Sequence, residues 1–155
     1  MFIALSSRFL PHPPNLTAVG AGAFYGGRYF TGAMKYVSPM IVMLVSDIFL
    51  GFHRTFVFVY GALLLNAWRG GRVARQPRWY RVAGGAIICS ATFYLITNFG
   101  VWVAGNWYPH TFSGLLSCML LALPFAKWTL VGDLMFTMIF FGATELYIHR
   151  VKYQV

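Results

Sequence analysis

Acidic side chains are almost missing from this chain: Asp47, Asp133 and Glu145 are the only three in 155 residues. Charged residues of both signs amount to 10%, whereas a soluble domain carries about a quarter. An ordinary water-soluble fold is excluded by that shortage. Cysteine is limited to Cys89 and Cys118, each inside an apolar run, where a thiol behaves as a small buried hydrophobe. Neither a disulfide framework nor a zinc spacing is present. A nucleophile elbow, a zincin helix and a phosphate loop are lacking too, as is a haem-attachment motif. The chain therefore reads as a non-enzyme, and it names no cofactor.

What the chain has in abundance is apolar surface. Hydrophobic residues make up 59% and aromatics 19%, and the mean hydropathy is +0.65. Lipid is the solvent that suits such a composition, and the expected fold is an all-α, polytopic transmembrane bundle of about six helices in a single domain. A net charge of +9 could suit nucleic acid, but no water-soluble scaffold is there to carry it. Anionic lipid headgroups are the better match, since each juxtamembrane Lys or Arg contributes about 1 kcal/mol of attraction.

The N-terminal MFIALSSRFLPHPP is too short to span and has neither a basic start nor a small-residue cleavage site, so it reads poorly as a signal peptide. After Pro11–Pro14, apolar runs predict helices over 15–30, 36–52, 56–68, 82–105, 112–125 and 128–147. Ala18, Gly22 and Gly26 recur four apart, a spacing that lets helix backbones approach closely. Packing within the chain explains that stripe, and docking on a partner subunit is the alternative. Gly114, Cys118 and Ala122 form a second stripe of the same kind. The sequence has no internal repeat, although the runs divide three and three.

Between the third and fourth runs lies RGGRVARQPRWYR, residues 69–81, with Arg69, Arg72, Arg75, Arg78 and Arg81 and no acid. Its Gly, Gln and Pro residues exclude a voltage-sensor helix and predict a solvated loop whose arginines meet lipid headgroups. With six crossings, this loop shares a side with Arg28, Lys35 and Lys127, eight cations in all, against four (Arg8, Arg54, Arg150 and Lys152) on the other. The positive-inside rule then makes the loop cytoplasmic and puts both termini outside.

That orientation gathers His12, His53, His110 and His149 at the outer end. It sets Asp47 just inside the second helix, where an ionisable group is costly and a functional candidate, or else bonds structurally to Asn98 or a backbone amide. Tyr94, Asn98 and Trp102 form a stripe on the fourth helix, and a buried amide such as Asn98 must find partners. Trp107 and Tyr108 suit interfacial anchoring. Asp133 is expected to complement the dipole of its own helix or to pair with Lys127, and Glu145 to pair with His149 or Arg150. His12, His53, His110 and Asp47 are suitable transition-metal ligands. They come from separate segments without diagnostic spacing, so no metal is assigned. The expected ligand pocket is ringed by His12, Asn15, Asp47, His53, Asn98, Trp102 and His110.

The phrases FLPHPPNLTAVGAGAFYGG, VSDIFLGFH, FVYGALLLN, TNFGVW, YPHTFSGLL and LALPFAKWTLVGDLMFT resemble a poorly characterised bacterial membrane family. That family is similar to the S components of energy-coupling-factor transporters, and the likeness runs from about Phe9 through the last helix. It implies a multi-pass protein of the bacterial inner membrane that binds a small molecule from outside. Such a protein docks on other integral membrane subunits driven by ATP-binding subunits, a role for which Ala18, Gly22 and Gly26 would serve. S components resemble a bundle with cytoplasmic termini, the reverse of what the arginine loop predicts here. A structural accessory subunit of a larger photosynthetic or respiratory assembly is the other function the composition suits.

Overall fold

A computed structural model describes residues 1–11, 13–73 and 78–153, with side chains through 151. Among the described residues the fold is all helical: α1 Phe2–Ser6, α2 Val19–Tyr29, α3 Met34–Leu50, α4 Phe56–Gly70, α5 Trp79–Ala104 and α6 Phe112–Tyr153. Six is the expected number, but these are not the expected six. A short α1 is added at the N-terminus, and the last two expected helices are one.

The merged helix, α6, runs for 42 residues straight through Pro124. Proline removes one backbone bond and crowds the carbonyl four residues back, yet the flanking FAKW offers no glycine or turn residue that would end the helix. At 1.5 Å per residue α6 is about 63 Å long and α5 about 39 Å. Among the described residues, only α5 and α6 are long and apolar enough to cross a membrane. Little of their apolar stretches is buried inside the protein, 22% and 17% respectively. The rest, including Ile87, Ile88 and Leu95 on α5 and Leu120, Leu121 and Ile139 on α6, faces outward.

Fusing the two helices changes which ends meet. Tyr25 Oη lies 2.7 Å from Thr144 Oγ1, and Tyr29 donates to Glu145 at 3.4 Å. The end of α6 therefore stands beside the end of α2, at the same end of the bundle as the arginine segment. At the opposite end Phe58, near the start of α4, packs its ring 6.2 Å from Phe99, near the end of α5. His53 and His110 belong there, but His149 and Glu145 do not. The expected gathering of four histidines is thus corrected, because one helix where two were counted reverses the last chain direction. His12 lies outside the described residues.

The first run also begins later than expected. Asn15 takes a left-handed φ of 67°, Leu16 N–H reaches back to Pro13 O at 3.1 Å, and α2 starts only at Val19. Asn tolerates this conformation better than most residues. As a result α2 has 11 residues against 26 in α5. Its length of about 17 Å reaches alongside only part of its neighbours.

Two buried clusters hold the bundle. One joins Ala18, Val19 and Ala23 of the α2 region to Val42 and Met43 of α3 and Leu63 of α4. The other places Phe24 among Val82, Cys89 and Phe141. The stripe at Ala18, Gly22 and Gly26 is buried within this chain: a β-carbon on Gly22 would meet Ala4, and one on Gly26 would meet Phe30 and Ser38. Those faces pack internally, and no open docking surface remains along them. Close backbone approach is made elsewhere, by Gly27 against the Ala67 carbonyl and Gly70 against the Phe24 carbonyl.

Candidate functional site

Because α2 starts late, the space beside it stays open, and a cavity of about 470 Å³ fills it. Five residues of α5 line one wall, Phe93, Tyr94, Thr97, Asn98 and Val101, at the spacing of a single helix face. On α6 Ala122, Phe125, Ala126, Thr129 and Asp133 do the same. Met43, Val59 and Leu63 supply apolar surface from α3 and α4, while Arg8, Asn15, His53 and Thr55 contribute polar groups from the end opposite the arginine segment.

The floor is formed where α2 begins. Asp133 is 3% exposed. It accepts a hydrogen bond from Ser90 Oγ at 2.7 Å and another from the Ala21 backbone N–H in the first turn of α2. Helix N-termini carry unpaired amides and a partial positive charge, so a carboxylate placed there satisfies both. Asp133 thus complements a helix dipole, but that of α2 and not of its own helix. Lys127, its other expected partner, is exposed, with Nζ 5.3 Å from the Trp128 ring centroid. Gly20 has to be glycine for this contact, since a β-carbon would overlap Asp133 Oδ1. The obstacle is the end of a side chain that can swing aside, so Gly20→Ala is expected to cost about 1–2 kcal/mol and break the Ser90 bond. A modest fall in melting temperature in detergent would be the readout.

The chain before α2 is clipped in place. Ser7 Oγ donates to Ala4 O at 2.8 Å and accepts from the Ala18 backbone N–H at 3.0 Å. Beyond it Arg8 donates to Asp47 Oδ1 at 2.8 Å, and Tyr60 Oη donates to Oδ2 at 3.1 Å. Asp47 is wholly buried and Arg8 is 18% exposed. Asp47 therefore does not line the cavity: it holds Arg8, which does.

Of the other expected pocket residues, Asn15, His53 and Asn98 line the cavity. Asn98 finds its partner within α5, donating from Nδ2 to Tyr94 O at 2.8 Å, and not at Asp47. Trp102 and His110 do not line it. Trp102 Nε1 donates to Pro109 O at 2.9 Å, and the Trp102 and His110 rings meet edge to face at 5.6 Å, closing the α5–α6 turn. The second small-residue stripe is turned inward: Cys118 is buried with its thiol 3.5 Å from Asn98 O, and Ala122 lines the cavity.

Sequence reasoning placed neither Arg8 nor Asp133 at the pocket, expecting of Asp133 only a dipole or Lys127 partner. The shortage of acids was itself the signal for Asp133, because a chain with three carboxylates that buries two of them, Asp47 and Asp133, does so for a reason. Among the described residues no group of three His, Cys, Asp or Glu converges as a metal site.

At the arginine end, Arg72 stacks its guanidinium 3.2 Å from the Trp68 ring centroid, and Arg78 donates to Tyr80 Oη at 3.2 Å. Arg81 is exposed. Arg69 departs from the expected headgroup set: it turns inward toward the Cys89 thiol, with one guanidinium nitrogen fully buried. Arg75 lies outside the described residues.

Fold and site together define an all-helical protein whose cavity is closed below by a carboxyl seated on the N-terminus of a shortened helix. Over residues 1–155 the chain matches the family of unknown function DUF6580, and it belongs to that family. No curated protein and no solved structure matches it.

Proposed function

We propose that this is a multi-pass membrane protein that binds a small organic molecule, in the manner of a transporter S component. The observation that carries the reading is the cavity of about 470 Å³. Ligand sites in transporters sit where a helix is interrupted and its N-terminus points into the bundle. They combine apolar walls with a few convergent polar groups. Both descriptions fit the space between α2, α5 and α6.

The membrane part of the reading rests on the outward apolar faces of α5 and α6 and on the charge distribution. Arg150 joins Arg28, Lys35 and the arginine segment at one end, while Arg8 and Arg54 stand at the other. The positive-inside rule makes the arginine end cytoplasmic. The cavity then opens outward, and the C-terminus lies inside, not outside as six crossings would require. Single cysteines test this, with the buried Cys89 and Cys118 as background. A cysteine replacing Thr55 is expected to react with a membrane-impermeant maleimide added to intact cells, and ones replacing Arg72 or Arg150 are not. The reverse pattern would close the cavity to the outside.

Ligand capture is tested by mass spectrometry of protein purified in mild detergent. A small molecule should be released on denaturation in stoichiometric amount, and lost when Val101→Trp fills the cavity. An empty wild type that also binds no added compound would sink the proposal.

One observation favours the second reading, an accessory subunit packed against neighbours. Lys127 is exposed on α6 between Met119, whose carbonyl receives the Tyr94 hydroxyl, and Asp133, which holds Ser90. Both partners lie midway along α5, so Lys127 sits near the centre of the bundle's length. A lysine at that depth in lipid costs about 2.5–3.5 kcal/mol, and a neighbouring subunit's carboxylate would remove the cost.

A further inference from the structure

Asp133 borders the cavity without a cationic partner among the described residues, and that bears on what the cavity holds. At one end Arg8 and Asp47 pair at 2.8 Å, with Tyr60 on the second carboxylate oxygen, so these two charges cancel. At the floor Asp133 has Ser90 Oγ and the Ala21 N–H as partners. Neither brings a full positive charge, and Lys127 on the same helix is exposed. A carboxylate offers about four lone-pair sites, and these two donors occupy two of them.

A ligand with a carboxylate or phosphate would set two acids at close range in a dry site, where both cannot be ionised. A neutral ligand would leave the remaining acceptor capacity unused. A positively charged nitrogen supplies the missing donors and a charge that favours the carboxylate form of Asp133. A bare metal ion is a poor match for this space: no third carboxyl, imidazole or thiol group meets Asp133 among the described residues. Leu63, Phe93 and Phe125 present apolar and aromatic surface across the cavity, which suits a hydrocarbon or ring body.

We infer that the cavity takes an organic cation, an amine or amidinium whose N–H groups meet Asp133 while its apolar body lies against Leu63, Phe93 and Phe125. The inference rests on the reading of the cavity as a ligand site and deepens it by naming the ligand's chemistry.

Three near-isosteric probes test it: benzamidinium, benzamide and benzoate, titrated against the full chain in nanodiscs of uncharged phosphatidylcholine. Benzamidinium should bind at least about tenfold more tightly than either of the others. In Asp133→Asn that preference should fall to near unity while benzamide binding is unchanged. Should Asp133→Asn not fold, Ser90→Ala removes a partner and keeps the carboxyl, and must retain the benzamidinium preference. If wild type binds benzamide and benzamidinium equally, and Val101→Trp abolishes both, the cavity is a ligand site but the cation inference is wrong. The inference is also wrong if the preference survives in Asp133→Asn. Binding of none of the three would overturn the ligand-site reading along with it.

Discussion

Arg8→Met is expected to destabilise the protein by about 3–5 kcal/mol, the usual cost of removing one partner from a buried ion pair. The reason lies in what is left behind. Asp47 is wholly buried, and without Arg8 its only remaining donor among the described residues is the Tyr60 hydroxyl at 3.1 Å. The opposite deletion is expected to be milder. In Asp47→Leu the orphaned group is Arg8, which is 18% exposed and can carry its guanidinium outward along its own stem. Arg8→Met with Asp47→Leu should recover most of the loss, because replacing a buried pair with apolar groups is often neutral. Melting temperatures of the four proteins in one detergent form the double-mutant cycle. A double variant no more stable than Arg8→Met would show that the pair is not what joins the N-terminal segment to α3. The consequence reaches the site, since Arg8 lines the cavity and its position depends on Asp47.

Gly27→Val is expected to be at least as damaging, about 3 kcal/mol or more, and to reduce the yield of monodisperse protein. At Gly27 the obstacle is the backbone carbonyl of Ala67, and at Gly70 it is that of Phe24. Neither can rotate away as a side chain can, so α2 and α4 must separate. Their separation would draw Val19 and Ala23 off Leu63, in the cluster beneath the cavity. Gly61 and Gly142 provide the control, for nothing lies within 4 Å of a β-carbon at either. Gly61→Val and Gly142→Val should melt within a few degrees of wild type. Equal melting temperatures for Gly27→Val and Gly61→Val would refute the close contact.

Helix positions and faces were legible in the sequence to different degrees. The α4 boundary was nearly right because the run ends in an arginine and two glycines. The α6 boundary was wrong because Pro124 and Lys127 look like a break, and whether a proline ends a helix depends on what packs around it. His53, Asn15 and Asn98 were found as polar groups next to apolar runs. Trp102 and His110 were assigned to the same pocket, but Trp102 bonds to Pro109 O and meets the His110 ring edge to face. Asp133 was given a dipole role on the wrong helix, because its partners, the start of α2 and Ser90 43 residues away, are invisible along the chain.

By itself the sequence determined that the fold would be all helical and that the arginine segment would interrupt it. Composition suffices for that: so apolar a chain leaves its backbone few partners outside itself, and helices satisfy those groups locally. Tertiary structure alone decided which end each loop occupies and which carboxyl serves which donor. Helical periodicity says that residues share a face but not what the face meets. Arg8 with Asp47, 39 residues apart, and Asp133 with the first turn of α2 are pairings that exist only after the helices pack. The cavity follows from the same cause, since its space is what a helix starting at Val19 leaves unfilled.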